Sequence, residues 1–217
     1  MSSEARVLVL ACGALAREIV ALKRINGWAA VDVQCLPPEL HNRPDRIPEA
    51  VRVAIATARE RYDAIFVAYA DCGTGGLLDR VLAEEQVERL PGAHCYEFFA
   101  TGREFAALAD EEPGTFYLTD FLVRHFERLV VTGLGIDRHP ELAAEYFRNY
   151  RRIVYLVQAP DPALAQAARA IAQRFGLDYV ERQSGYGELE TGLRAWVGSR
   201  APVANNERVL EQASWRR

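Results

Sequence analysis

The chain has no long apolar run, no CxxC pair, no nucleotide-loop signature and no excess of basic charge, and each absence closes a class of function. Its 217 residues carry a formal net charge of −4, which argues against holding nucleic acid by neutralising phosphates. No stretch approaches the roughly 18–20 apolar residues that span a bilayer. The first residues, Met1–Arg6, run straight into a strand-like segment without a secretory pattern, so the cytoplasm is the expected compartment. Four cysteines (Cys12, Cys35, Cys72 and Cys95) are too few for a disulfide scaffold, and in a reducing compartment they are thiols. Without CxxC there is neither a zinc ribbon nor a thioredoxin-type motif. GxGxxG and GK[ST] are both missing, which removes the known nucleotide-binding loops. GxSxG, HExxH and a separable acid pair are missing too, so no catalytic residue is assigned.

What remains is 50% hydrophobic, enough for a sizeable core. The apolar runs alternate in kind. Arg6–Ala11, residues 29–36 and residues 63–70 read as buried strands. Between them Leu15, Ile19 and Leu22 recur at helical spacing up to Asn26-Gly27. After Pro48 the residues Ala50, Val53, Ala54 and Ala58 form a second helical stripe, and Leu77–Glu85 is a third helix. Residues 95–111 look helical with a glycine interruption, and "GTFYLTDFLVRHF" passes from strand to helix. A helix starting at Pro140, a strand over 151–158, a helix capped by Asp161-Pro162 and stopped at Gly176, the strand "LDYVER" and a helix Leu189–Val197 complete the pattern. This alternation predicts an α/β, Rossmann-like fold: mostly parallel sheet with helices on both faces. A single domain over 1–198 is expected, built from two β-α halves of about 1–114 and 115–198 if it divides at all. Residues 199–217 form a tail in which Val209, Leu210 and Trp215 suit a surface groove.

In parallel sheets ligands collect at the carboxyl ends of the strands. Cys12 and Cys72 fall at two such exits, each followed by glycine and a helix, and Cys95 follows a third. The first turns of those helices would aim amide groups at the thiols and favour thiolates, which bind soft metals or attack electrophiles. His41, in the loop after the second strand, lies at the same edge and offers a fourth ligand. Zinc suits such a set, and an iron–sulfur cluster on three cysteines with one iron open suits it equally. A small molecule is the expected substrate. The plainer alternative is that these thiols are packing residues, as cysteines often are. Cys35 is expected in the core.

The amides beside Gly13, Gly73 and Gly75 could instead cradle an anionic cofactor group, or these glycines and Gly76 simply permit tight turns. Asp71 beside Cys72 would orient a ligand, act as a base or complement a helix N-terminus. Arg17 and Glu18 are expected at the surface, His125 on a helix face and His139 before the helix at Pro140. His94 adjoins Cys95, so one of the two faces the site. Tyr69, Tyr96, Phe98 and Phe99 would make an apolar wall for a pocket at this edge.

The stretch Cys12-Gly13-Ala14-Leu15-Ala16-Arg17-Glu18 reads C-G-x-L-x-x-E, and Leu40-His41-Asn42-Arg43-Pro44 reads L-H-x-x-P. With Tyr69–Gly75, Cys95 and the later Gly102, Phe147-Arg148-Asn149-Tyr150 and the "RIVYL" strand, these resemble the bacterial and archaeal family known as domain of unknown function 1638. The likeness covers nearly the whole chain short of the tail. Ala70 stands where a glycine is expected, and His94-Cys95 where some relatives have Asp-Cys. The resemblance implies weight on Cys12, Cys72 and Cys95, with Cys35 outside the pattern. It also implies a part in one-carbon metabolism, with a corrinoid protein or corrinoid-dependent methyltransferase as partner. The chain would serve there as an enzyme on a small molecule or as a non-catalytic accessory or sensor. A metal-free enzyme with one activated thiolate is a third reading. The chain itself carries no D-x-H-x-x-G corrinoid loop.

Overall fold

The computed structural model describes residues 5–200. Among these residues seven strands form two sheets, and every pairing is parallel. The first sheet has the order β2-β1-β3-β4, with β1 at Val7–Cys12, β2 at Val31–Leu36, β3 at Ala64–Ala68 and β4 at Glu88–Arg89. The second has the order β5-β6-β7, with β5 at Thr115–Thr119, β6 at Arg152–Val157 and β7 at Asp178–Gln183. This is the Rossmann-like α/β fold that the alternation of apolar runs predicts.

Strand order dictates where the helices lie. From β1 the chain passes through α1 (Ala16–Ile25) to β2 on one side. It then returns over β1 through α2 (Ile47–Ala58) to β3 and continues outward through α3 (Leu77–Glu85) to β4. Right-handed crossovers in opposite directions place α1 on one face and α2 with α3 on the other. Accordingly α2 packs on α3, whereas α1 meets α8 (Gly187–Gly198). In the second sheet all connections run one way. There α5 (Asp120–Arg124), a π-helical stretch Glu127–Thr132, α6 (Leu142–Phe147) and α7 (Pro162–Arg174) share one core with Leu118, Ile153, Tyr155 and Val157. The alternate residues Tyr117, Val154 and Leu156 point the other way, into the core of the first sheet, as the two-residue period of a strand requires.

The division expected near 114/115 falls between the two sheets, but the last helix crosses it. Leu189, Leu193, Trp196 and Val197 of α8 are buried against the first sheet, with the Trp196 ring 4.8 Å from that of Phe66. Each such side chain contributes roughly 1.5–3 kcal/mol by leaving water, so α8 fastens the end of the chain to its beginning. Between α3 and β5 lies α4 (Gly102–Glu111), whose Phe105 ring packs at a tilt against Tyr117, 4.8 Å between centroids.

Three expectations need correction. Val53 is not part of the α2 stripe; it is 55% exposed, and the buried face is Ile47, Val51, Ala54, Ile55 and Ala58. Cys35 is exposed, because β2 is an edge strand and its outer side meets water. Glu18 is buried at 5% exposure, since the α1 face that carries it also meets α8. The tail expected over 199–217, including Val209, Leu210 and Trp215, lies from residue 201 onward outside the described residues. No helix among the described residues is long and apolar enough to cross a membrane.

Candidate metal centre

The first sheet has its topological switch at β1, from which the chain leaves first toward β2 and later toward β3. Crevices form at the carboxyl ends of strands at such a point, because the two crossovers carry their helices to opposite faces. Cys12 is the last residue of β1, and Cys72 follows β3 by four residues.

The loop carrying Cys72 is rigidly built. Asp71 accepts hydrogen bonds from Thr74 Oγ1 (2.6 Å) and from the amides of Gly75 (3.1 Å) and Gly76 (2.8 Å). With the Gly73 amide added, these bonds hold the Asp71 carboxyl below its usual range against desolvation. The anion in this glycine loop is thus supplied by the chain itself. The amides of Gly73 and Gly75 bond to Asp71. Cys72 sits inside the loop at φ +50°, a left-handed backbone that costs a non-glycine residue about 1 kcal/mol or more. Its amide and that of Asp71 bond to Ala93 O and Gly92 O, tying this loop to the next strand exit. That exit turns into a short 3₁₀ helix, Cys95–Phe98, capped by His94 and Glu97. The result brings Cys72 Sγ within 3.2 Å of Cys95 Sγ, a thiol–thiolate hydrogen-bond distance.

His41 arrives from the loop after β2, within a 3₁₀ segment Pro38–Asn42. Gly13 makes room for this loop: a Cβ there would lie 2.9 Å from both Leu36 O and Pro38 Cδ. The His41 Nδ1 is 3.1 Å from Pro38 O and 3.7 Å from Cys12 Sγ. A carbonyl only accepts, so Nδ1 carries a proton and Nε2 is the nitrogen that would bind a metal on giving up its own. One donor atom each from His41, Cys72 and Cys95 lies within 4.8 Å of the others. Cys12 is not in that set. Fully buried, it touches the group through His41 while its sulfur accepts the Ala14 amide at 3.3 Å.

The electrostatics favour thiolate and imidazolium. The hydrogen bond from Cys95 outweighs desolvation and, with the His41 charge, holds Cys72 down at about 5. Cys95, donating to Cys72 and buried, is pushed well up. Desolvation lowers the His41 imidazole, but the sulfurs of Cys12 and Cys72 push it up to about 11. Cys35, away from this group, is raised by burial of its sulfur and by the Cys12 charge.

The donor set fits a soft metal ion. Two thiolates and an imidazole are the ligands that zinc prefers, leaving one tetrahedral position open. Zinc–sulfur bonds of 2.3 Å place two ligating sulfurs about 3.8 Å apart, so the 3.2 Å pair needs only a small spread. A further sign is Tyr69. Its ring stacks 6.3 Å from His41, and its fully buried hydroxyl has no hydrogen-bond partner among the described residues.

All three donors open onto one cavity of about 440 Å³. Its near wall is Pro38, Pro44, Tyr96 and Phe99, and its far wall comes from the second sheet and its connection: Phe116, Thr119, Phe121, Leu122, Leu129 and Val130. Of the aromatic residues expected in the wall, Tyr96 and Phe99 line it while Tyr69 and Phe98 lie in the core. His94 lines the cavity together with Cys95. Asp71 points into its own loop. The far wall was missed from the sequence, although Thr119 and Phe121 follow the exit of β5, where the strand-end rule would have looked.

The sequence profile of the family described as "Protein of unknown function (DUF1638)" matches residues 35–193, and the chain belongs to that family. No curated protein matches it.

Proposed function

We propose that this member of the domain of unknown function 1638 family binds a soft divalent metal ion, zinc first, through His41, Cys72 and Cys95, and presents the open position to a small molecule in the adjoining cleft. The observation that carries this reading is the meeting of three donor atoms from three separate strand exits within 4.8 Å, at the mouth of a cavity. When bound, the metal supplies Lewis acidity and lowers the pKa of a coordinated thiol or water. The chain does the rest. Asp71 fixes the loop that carries Cys72, Pro38 O sets the His41 tautomer, and the apolar walls exclude water from the open position.

The finer reading is activation of a small molecule for methyl-group or sulfur chemistry in one-carbon metabolism, beside a corrinoid protein or methyltransferase. Its support is the motif resemblance and the thiolate-activating power of such a centre. An iron–sulfur cluster is the second reading, favoured by one distance: Cys12 Sγ, 3.7 Å from His41 Nδ1, brings a third sulfur next to the set.

Anaerobic purification with elemental analysis and a visible spectrum tests both. About one colourless zinc per chain is expected, abolished in Cys72→Ser. A brown chromophore with iron selects the cluster, and a metal-free chain that takes up neither overturns the proposal.

A further inference from the structure

We propose that the ligand of the open metal position is an uncharged, largely apolar thiol of about the size of one aromatic ring with a short arm. This rests on the metal reading above and names the class of molecule that the cleft takes.

The first argument is charge. None of the described residues lining the cavity is Lys, Arg, Asp or Glu. Several charged groups nearby are engaged elsewhere, and Arg43, between the lining residues Asn42 and Pro44, is exposed and does not itself line the cavity. Asp71 is consumed by its own loop, and Asp120, just past Thr119, accepts from Tyr155 Oη at 2.7 Å and from the amides of Gln158 (3.2 Å) and Ala159 (3.0 Å). Arg128 and Glu39, next in sequence to the lining residues Leu129 and Pro38, pair with each other. The metal adds no net charge for recognition either, because two thiolates and a neutral imidazole balance a divalent ion. An ionic group on the ligand would therefore be buried without a partner, which binding sites avoid at a cost of several kcal/mol.

The second argument is surface chemistry. Phe99, Phe116, Phe121, Leu122, Leu129 and Val130 make the walls, and aromatic walls favour an aromatic or branched apolar guest. The volume of about 440 Å³ is near the small end of ligand cavities. Besides the metal donors, the polar positions are few: Asn42, His94, the Tyr96 hydroxyl, and Thr119, whose Oγ1 already accepts the Leu122 amide. The third argument is the donor. A soft, thiolate-bound metal takes sulfur in preference to oxygen. On binding, the sulfur–metal bond forms, the S–H bond breaks heterolytically and its proton goes to solvent.

The test is the full-length chain loaded with cobalt(II), titrated with phenylethanethiol, mercaptoethanol and mercaptopropionate. Sulfur-to-cobalt charge-transfer bands on loading report the metal site itself, and their absence overturns the metal reading on which this inference stands. With those bands present, phenylethanethiol should change the ligand-field spectrum at a concentration at least about tenfold below that needed for mercaptopropionate, with mercaptoethanol between. In Leu129→Lys, which sets a cation in the wall, the gap should shrink or reverse, the charge-transfer bands showing that the variant has kept its centre. Equal or tighter binding of mercaptopropionate to the unaltered chain, or no response to any thiol, overturns the ligand class and leaves the metal site standing.

Discussion

The two sheets are built alike and finish differently. In each, an aspartate stands just beyond a strand exit and gathers donors from the next segments. Asp71 in the first holds a glycine loop that projects Cys72 toward Cys95 and His41. Asp120 in the second is 2% exposed and spends its oxygens on Tyr155, Gln158 and Ala159, projecting nothing. One edge is an aspartate-braced display of soft ligands; the other is an aspartate-braced wall. The lesson is that a parallel strand exit offers a position, while the residue after the brace decides whether chemistry occurs there.

Four measurements bear on that contrast. The largest effect belongs to the wall. Asp120→Ala leaves the buried Tyr155 hydroxyl, the buried Gln158 amide and the partly buried Ala159 amide without an acceptor and should lower the unfolding free energy by about 3 kcal/mol in urea titrations, while the folded fraction still binds metal. Loss of metal with stability intact would show instead that the two edges are one centre.

Next comes Cys72→Ser. Removing a ligand should weaken zinc or cobalt(II) binding at least about 100-fold, beyond the 10–100-fold typical of outer partners. The metal-free chain should also lose stability at neutral pH, since the serine keeps the loop geometry but cannot carry the charge that pairs with His41.

The pH profile of the metal-free protein is a finer discriminator. A thiol held down at about 5 instead of 9.0 makes stability rise with pH between those values. An imidazole raised from 6.5 to about 11 makes it fall between those values. The slopes oppose each other between 6.5 and 9.0, so urea unfolding should show a rise from pH 5, a plateau, and a decline toward pH 11. His41→Ala should remove the decline; an unchanged profile would break the ion pair. Alkylation should likewise modify Cys72 below neutral pH, and Cys35 only in alkali despite its exposure.

The smallest effect is at Glu18, where the structure sets a carboxyl between the halves without using it. Desolvation raises its pKa, and Oε2 has no partner. A carboxyl raised on folding loses stability as pH climbs through the ordinary glutamate range. Glu18→Gln should therefore be slightly more stable than the parent at neutral pH, by under about 1 kcal/mol, with no change in metal content. A clear loss of stability or of metal would make Glu18 part of the centre.

Much of this was legible before the structure. The periods of the apolar runs give the strands and helices, and the strand-end rule brings Cys72, Cys95 and His41 to one edge without any local motif. What was hidden depends on contacts made far away in the chain. Cys35 looks like core because no glycine turn follows its strand, yet strand order puts it at an edge. Glu18 looks like surface because it is charged, yet a helix from the far end of the chain covers it. Leu129 and Val130 reach the cleft on a π-helical stretch, which no apolar period announces. Cys12 stands apart from the other donors, fully buried with its sulfur on the Ala14 amide, a contact that no spacing rule announces.

The helix Gly187–Gly198, last among the described elements, is also the cover of the first sheet. During synthesis the segments that carry His41, Cys72 and Cys95 leave the ribosome well before it does. Until that closing helix arrives, Leu90, Phe98 and Phe66 have no lid, and the thiols of Cys72 and Cys95 stand on a half-dressed sheet. Long-range closures of this kind are slow steps that expose apolar surface on the way. A metal ion captured early would cross-link residues 41, 72 and 95 and hold that nascent edge in register while the remainder of the chain is made.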